Sequence, residues 1–197
     1  MQFPLELKFK ILALAPQITV TDATGSEVAY VRQKLFKLKE KVNVFSDSSK
    51  GTELAFIGAD RVIDFSARYR FTGAGGVSMG SMKRKGMKSL WKAHYDIFPA
   101  DSEDTPDLQL REENPFAKVM DGMFGSIPIL GAATGYFFHP RYLISDSAGT
   151  PLIRLEKQRS FLEAKFTMTQ VGDASQDQAV RAMLSAIMMA LLERSRG

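Results

Sequence analysis

Residues Ser175–Gly197 read SQDQAVRAMLSAIMMALLERSRG, and the nature of this stretch decides what surrounds it. Between Ala179 and Leu192 only Arg181 and Ser185 are polar. A helix there is apolar around its whole circumference, so it must be enclosed by lipid or by protein. Ser175 and Gln178 have the spacing of a capping box, and Glu193–Gly197 supplies a polar end. The apolar part falls short of the roughly 20 residues that a membrane span needs, and no run reaches the about 18 or more apolar residues of such a span. The helix is therefore expected inside a protein shell.

The preceding residues must supply that shell, and most of them read as strands. Phe36, Leu38, Val42 and Val44 share one face of a period-2 pattern, and Lys37, Lys39 and Lys41 take the other. The opening MQFPLELKFKILALAPQ contains an apolar run, Ile11–Ala15, below the roughly 7–15 residues of a signal sequence core, and reads as a first strand. The segments 17–33 and 139–170 each read as strand, turn, strand. A D-x-x-G turn occurs as Asp22–Gly25 leading to Val28 and as Asp146–Gly149 leading to Leu152. A looser copy runs Asp47, Gly51, Leu54. Asp opens such a turn through its side chain and Gly supplies the positive φ. In the middle, the acidic PADSEDTPDLQLREENP (99–115) holds one strand at Leu108–Arg111. After it, Asn114 caps a short amphipathic helix that Gly125 ends.

About twelve strands exceed what an open twisted sheet usually carries. Closed into a barrel, they leave a lumen too wide for their own side chains, and a central helix fills such a lumen. The expected fold is mostly β: a closed antiparallel barrel of about twelve strands around a buried C-terminal α-helix, one domain over residues 1–197.

This arrangement, with KLFKLKEKVNVF (34–45), KSLWKAHYDIF (88–98), GYFFHPRYLISD (135–146) and LLERSRG (191–197), resembles the tubby C-terminal-like fold. That fold is shared by tubby proteins, phospholipid scramblases and LURP-one-related proteins, and bacterial members of the last group look most similar. The resemblance implies a non-enzymatic scaffold, with phosphoinositide headgroups as the ligand in tubby. The cysteine cluster that scramblases use for lipid anchoring is missing here.

The composition narrows the chemistry. With no cysteine there is no disulfide, thiolate metal site or cysteine nucleophile, in keeping with a cytoplasmic protein, or one peripheral at the membrane. Two histidines make no zinc site, and no cofactor or metal is expected. The net charge of +4 is uneven: residues 1–100 carry +7 and residues 101–197 carry −3. No acid stands between Arg68 and Tyr95. Lys83, Arg84, Lys85, Lys88 and Lys92 surround Trp91 and Tyr95, with Lys37, Lys39 and Lys41 as a second basic strand and Arg68 and Arg70 as a third. These ten residues, taken as exposed, form the candidate binding face. Its expected partner is an anionic membrane surface or a phosphoinositide-like headgroup. The same charges suit a nucleic-acid backbone, so a nucleic-acid-binding or regulatory protein is the alternative. A solvated hairpin explains them as well.

Gly76-Val77-Ser78-Met79-Gly80 matches the G-x-S-x-G of serine hydrolases. That motif needs a strand-to-helix elbow, whereas a hairpin and strand follow here, so no catalytic residue is expected. Ser89 and Lys92 would point to opposite faces of a strand.

Overall fold

Inward apolar residues alternate with outward, mostly polar ones along most strands, which gives the sheet one face to close around a core. The computed structural model describes residues 1–10, 17–32, 42–60, 67–85, 94–113, 140–158 and 163–194. In chain order the strands are β1 (Leu5–Lys10), β2 (Gln17–Thr21), β3 (Glu27–Arg32), β4 (Val42–Phe45), β5 (Glu53–Ala59) and β6 (Arg68–Gly73). They continue as β7 (Ser78–Arg84), β8 (His94–Phe98), β9 (Leu108–Glu112), β10 (Arg141–Asp146), β11 (Pro151–Gln158) and β12 (Glu163–Gln170). Helix α1 (Gln176–Arg194) follows. All twelve strands join sequential neighbours antiparallel, and β1 pairs with β12 from Leu5↔Met168 to Lys10↔Glu163. The expected closed barrel is what the chain forms. The expected first strand is β1, with Leu5, Leu7 and Phe9 buried, and Val42 and Val44 are buried in β4. The expected helix from Asn114 to Gly125 lies outside the described residues.

Helix α1 occupies the lumen. Every residue from Ala182 to Leu192 is buried, and only Val180 on its apolar stretch is half-buried. Its start is capped reciprocally: Gln178 N–H donates to Ser175 Oγ at 3.1 Å, and Ser175 N–H donates to Gln178 Oε1 at 3.0 Å. The barrel wall and this helix share one apolar core.

Three of the connections at the rim where α1 enters share an opening aspartate. In the β2–β3 turn, Gly25 N–H donates to the Asp22 carbonyl and Gly25 has φ +82°. In the β10–β11 turn, Gly149 does the same with Asp146, at φ +89°. The looser copy departs from expectation. Lys50, not Gly51, closes onto Asp47 and holds the positive φ of 59°. After these three turns, and after the β6–β7 turn, the register slips by one residue. The bulges leave Val28, Leu54, Met79 and Leu152 as the extra residues. A bulge breaks alternation and re-aims a side chain, and here it sends apolar residues toward the barrel mouth.

Gly80 shows how tightly helix and wall meet. It sits at φ +101°, and a Cβ there would lie 2.3 Å from the Phe98 carbonyl oxygen and 2.9 Å from Cδ of Arg181. The Arg181 guanidinium, 2 % exposed, grips both Asp107 carboxylate oxygens at 2.5 and 2.7 Å and donates to Asp177 at 2.9 Å. Burial is the largest single influence and works against its charge, but the hydrogen bonds and charges of Asp107 and Asp177 together outweigh it and hold its pKa above the ordinary arginine value.

Candidate functional site

The candidate basic face divides once the strands are paired. Lys83 and Arg84 are consecutive on β7 and therefore point to opposite sides of the wall. Lys83 is half-buried on the outer side, opposite Arg68 on β6 and Asp96 on β8. Arg84 is 7 % exposed on the lumen side, where Met82 also points. The expectation that Arg84 is an exposed ligand-binding cation is corrected by that parity.

Arg68 and Arg70 stand on the outer wall of β6, but the acidic connection 99–107 folds back over them. Arg70 makes a two-point contact with the Glu103 carboxylate, at 3.0 Å for each bond. That contact pushes the Arg70 pKa up and holds the Glu103 carboxyl below its ordinary range. Arg68 donates to Ser81 Oγ at 3.0 Å and to the Glu103 carbonyl at 2.6 Å. Its guanidinium carbon also lies 4.3 Å from the Phe98 ring centre. These two arginines thus fasten a surface connection instead of forming an open third basic strand. Lys37, Lys39, Lys41, Lys88 and Lys92, with Trp91, lie outside the described residues.

Lys83 and Lys85 remain toward solvent, and strand pairing gives them neighbours that sequence distance hides. Lys85 N–H donates to the His94 carbonyl, and His94 is opposite Arg111 on β9. Lys85, His94 and Arg111 thus form one row across the outer wall. Arg111 Nε donates to His94 Nε2 at 3.3 Å, which requires that nitrogen to be unprotonated. Burial lowers the His94 pKa first, Arg111 next and Lys85 further, against an opposing pull from Asp96. Asp96 is the acid of the cluster, with Oδ2 3.7 Å from Lys85 Nζ and Oδ1 3.8 Å from His94 Nε2. Sequence reasoning missed His94 and Arg111 as members of this face. Only the β7–β8–β9 register reveals them.

The row stands at the barrel end opposite the tight turns. Among the described residues the turn end is mostly acidic, with Asp22, Asp47, Asp101, Asp104 and Asp173 against Lys50. Toward the other end lie Lys10, Arg32, Lys83, Lys85, Arg111 and Lys157, with Asp60, Asp96, Glu112 and Glu113 among them.

Ser78 is placed otherwise than a nucleophile. A 3₁₀ turn, Ala74–Gly76, precedes it, and it opens β7 of a hairpin, so no strand-to-helix elbow exists there. Its Oγ accepts from Gly80 N–H at 3.3 Å and donates to the Ala100 carbonyl at 3.5 Å. Ser81 pairs with Phe98, which sets Ser78 and His94 seven strand positions apart, roughly 23 Å at about 3.3 Å per residue. His139 and the pair Ser89–Lys92 lie outside the described residues. Among the described residues no helix is long and apolar enough to cross a membrane.

The profile of the family described as LURP-one-related matches residues 4–127. Among solved structures, the chain is similar to an X-ray structure of a protein from Arabidopsis thaliana. The two are 14% identical, the match covers 96% of this chain and 91% of that one, and the TM-score is 0.53. At that identity the likeness concerns the fold alone. No curated protein matches the chain.

Proposed function

The chain belongs to the LURP-one-related family, and on that footing we propose that it is a non-enzymatic binding barrel whose basic outer wall engages anionic phospholipid headgroups at a membrane surface. The observation that carries this reading is the Lys85–His94–Arg111 row with Lys83 beside it, at the barrel end away from the acidic turns. Lys85 and Arg111 flank an uncharged histidine, a separation that suits the several oxygens of one phosphate group. Near an anionic bilayer each basic side chain contributes roughly 1 kcal/mol, so a few of them give salt-sensitive attachment without an anchor. Asp96 opposes the anion, and Lys83 and Lys85 on either side of it offset that repulsion. Lys37, Lys39, Lys41, Lys88 and Lys92 stay in the proposal on their sequence pattern alone. Arg84, Arg68 and Arg70 leave it for the reasons of geometry given above.

Flotation with vesicles tests this. The protein should rise with phosphatidylcholine vesicles containing phosphatidylserine or a phosphoinositide, stay down with phosphatidylcholine alone, and detach as salt rises. Lys83→Gln with Lys85→Gln should abolish flotation and change Tm only slightly, since neutral side chains at these solvent-facing positions put no like charge beside Asp96. Flotation by the double variant, or none by the wild type at moderate salt, refutes the lipid reading. A salt-dependent gel shift with duplex DNA in place of flotation would move the same cations to a nucleic-acid partner.

A further inference from the structure

An apolar cavity of about 240 Å³ opens at the rim where α1 enters, at the other end of β7 from Lys83 and Lys85. Three of the four bulge residues, Val28, Leu54 and Met79, line it from the wall. Val180 and Met183 line it from the helix. The fourth bulge residue, Leu152, is 6 % exposed, and its carbonyl accepts from the backbone N–H groups of Val171 and Gly172. The chain entering α1 therefore covers the mouth on that side. On the other side the bulges turn apolar residues inward and leave a gap. Leu54 is 39 % exposed and Val28, Met79 and Val180 are half-buried, so the gap is reachable from solvent.

We propose that this cavity is a binding site for an uncharged hydrocarbon group, an alkyl chain without an anionic head. Every described lining side chain is apolar, which leaves water in the cavity short of the polar partners it needs. An apolar cavity of about 150 Å³ already stays dry and takes up benzene, and this one is larger. Met1, Met79 and Met183 add flexible thioethers that adapt to an irregular guest. The rim sets the charge of the guest. Exposed Glu27 and Glu53 precede Val28 and Leu54 in sequence, and Asp177 lies one helical turn before Val180. Arg181 pairs with Asp177, and the Met1 α-ammonium and Lys50 stand at the same rim, but with Asp22 and Asp47 the carboxylates outnumber these cations and disfavour a fatty-acid or phosphate head. The site is thus distinct in place and in chemistry from the basic wall, and it stands or falls independently of lipid attachment there.

The experiment titrates the whole chain at neutral pH with 1-octanol and, separately, with octanoate. Tm and the methyl NMR signals of the methionines are followed. With octanol, the Met79 and Met183 methyl signals should move saturably while that of Met168, on β12, stays in place, and Tm should rise. Octanoate should bind at least tenfold more weakly. Val180→Phe, which fills the cavity from the helix side, should remove the response to octanol and keep Tm at or above that of the wild type. Should that variant misfold, Ala55→Leu fills the cavity from the wall and serves in its place. The proposal is overturned by Met79 and Met183 signals that do not saturate, by octanoate binding as well as octanol, or by a folded filled variant that still responds. A dimer in sedimentation whose mass octanol does not lower would assign the cavity to a second copy and also overturn it.

Discussion

Among the described residues, Lys50 is the one most at odds with its backbone. Its turn repeats that of Asp22–Gly25: Asp47 Oδ1 accepts the Ser49 N–H at 2.9 Å as Asp22 Oδ1 accepts that of Thr24 at 2.9 Å. In each case the hydroxyl of that second residue, Ser49 or Thr24, is the main cause holding the aspartate below the ordinary carboxylate range. The fourth position is glycine in one turn and Lys50 in the other. A left-handed conformation costs a side chain roughly 1–2 kcal/mol, of which glycine's extra unfolded-state entropy takes back about 0.5–1 kcal/mol. Lys50→Gly should therefore raise stability by up to about 1 kcal/mol in urea unfolding, and Gly25→Ala should lower it. The aspartate turns were legible in the sequence because their chemistry is local. The position of the positive φ was not, because Gly51 one residue later offered the more obvious host. Arg84 was misread for a related reason: a charge looks like surface until strand parity sets which side of the wall it is on.

At the level of elements, the attachment of α1 to the β8–β9 connection is the joint that fixes the helix in the lumen. The Arg181–Asp107 pair is asymmetric: the guanidinium side chain is 3 % exposed and the carboxylate 32 %. Removing a partner costs most when the group left behind is buried and charged. Asp107→Ala should therefore destabilise by about 3 kcal/mol, tempered by the Asp177 bond that Arg181 retains. Arg181→Leu should cost less, because water reaches the remaining carboxylate. Unfolding of both variants in denaturant gives the comparison, and an equal or reversed order would refute the asymmetry. The helix itself and its Ser175–Gln178 cap were legible, because periodicity and capping are written in consecutive residues. Its partner Asp107 was not, being 74 positions away. The bulges were half legible: Val28, Leu54 and Leu152 stood out as echoes after each aspartate turn, yet nothing local showed that the register slips there.

For the whole molecule, wall and helix depend on each other. The lumen of a twelve-stranded ring needs a filler, and an all-apolar helix needs a wall. A chain ending at Gly172 should lose cooperative melting and expose its inner wall to the dye ANS; a sharp, two-state melt would contradict this. The closed form was legible from the number of strands together with the apolar helix. The Lys85–His94–Arg111 row was not, since it arises only when β7, β8 and β9 lie side by side. Closure also has a consequence in time. Leu5 pairs with Met168, so during synthesis the first strand keeps one edge open until the last has left the ribosome. At about 5–20 residues per second that interval is roughly 8–30 s. Until then β1 offers its free edge to any other strand in reach, and the nascent chain is at its most vulnerable before the ring is shut.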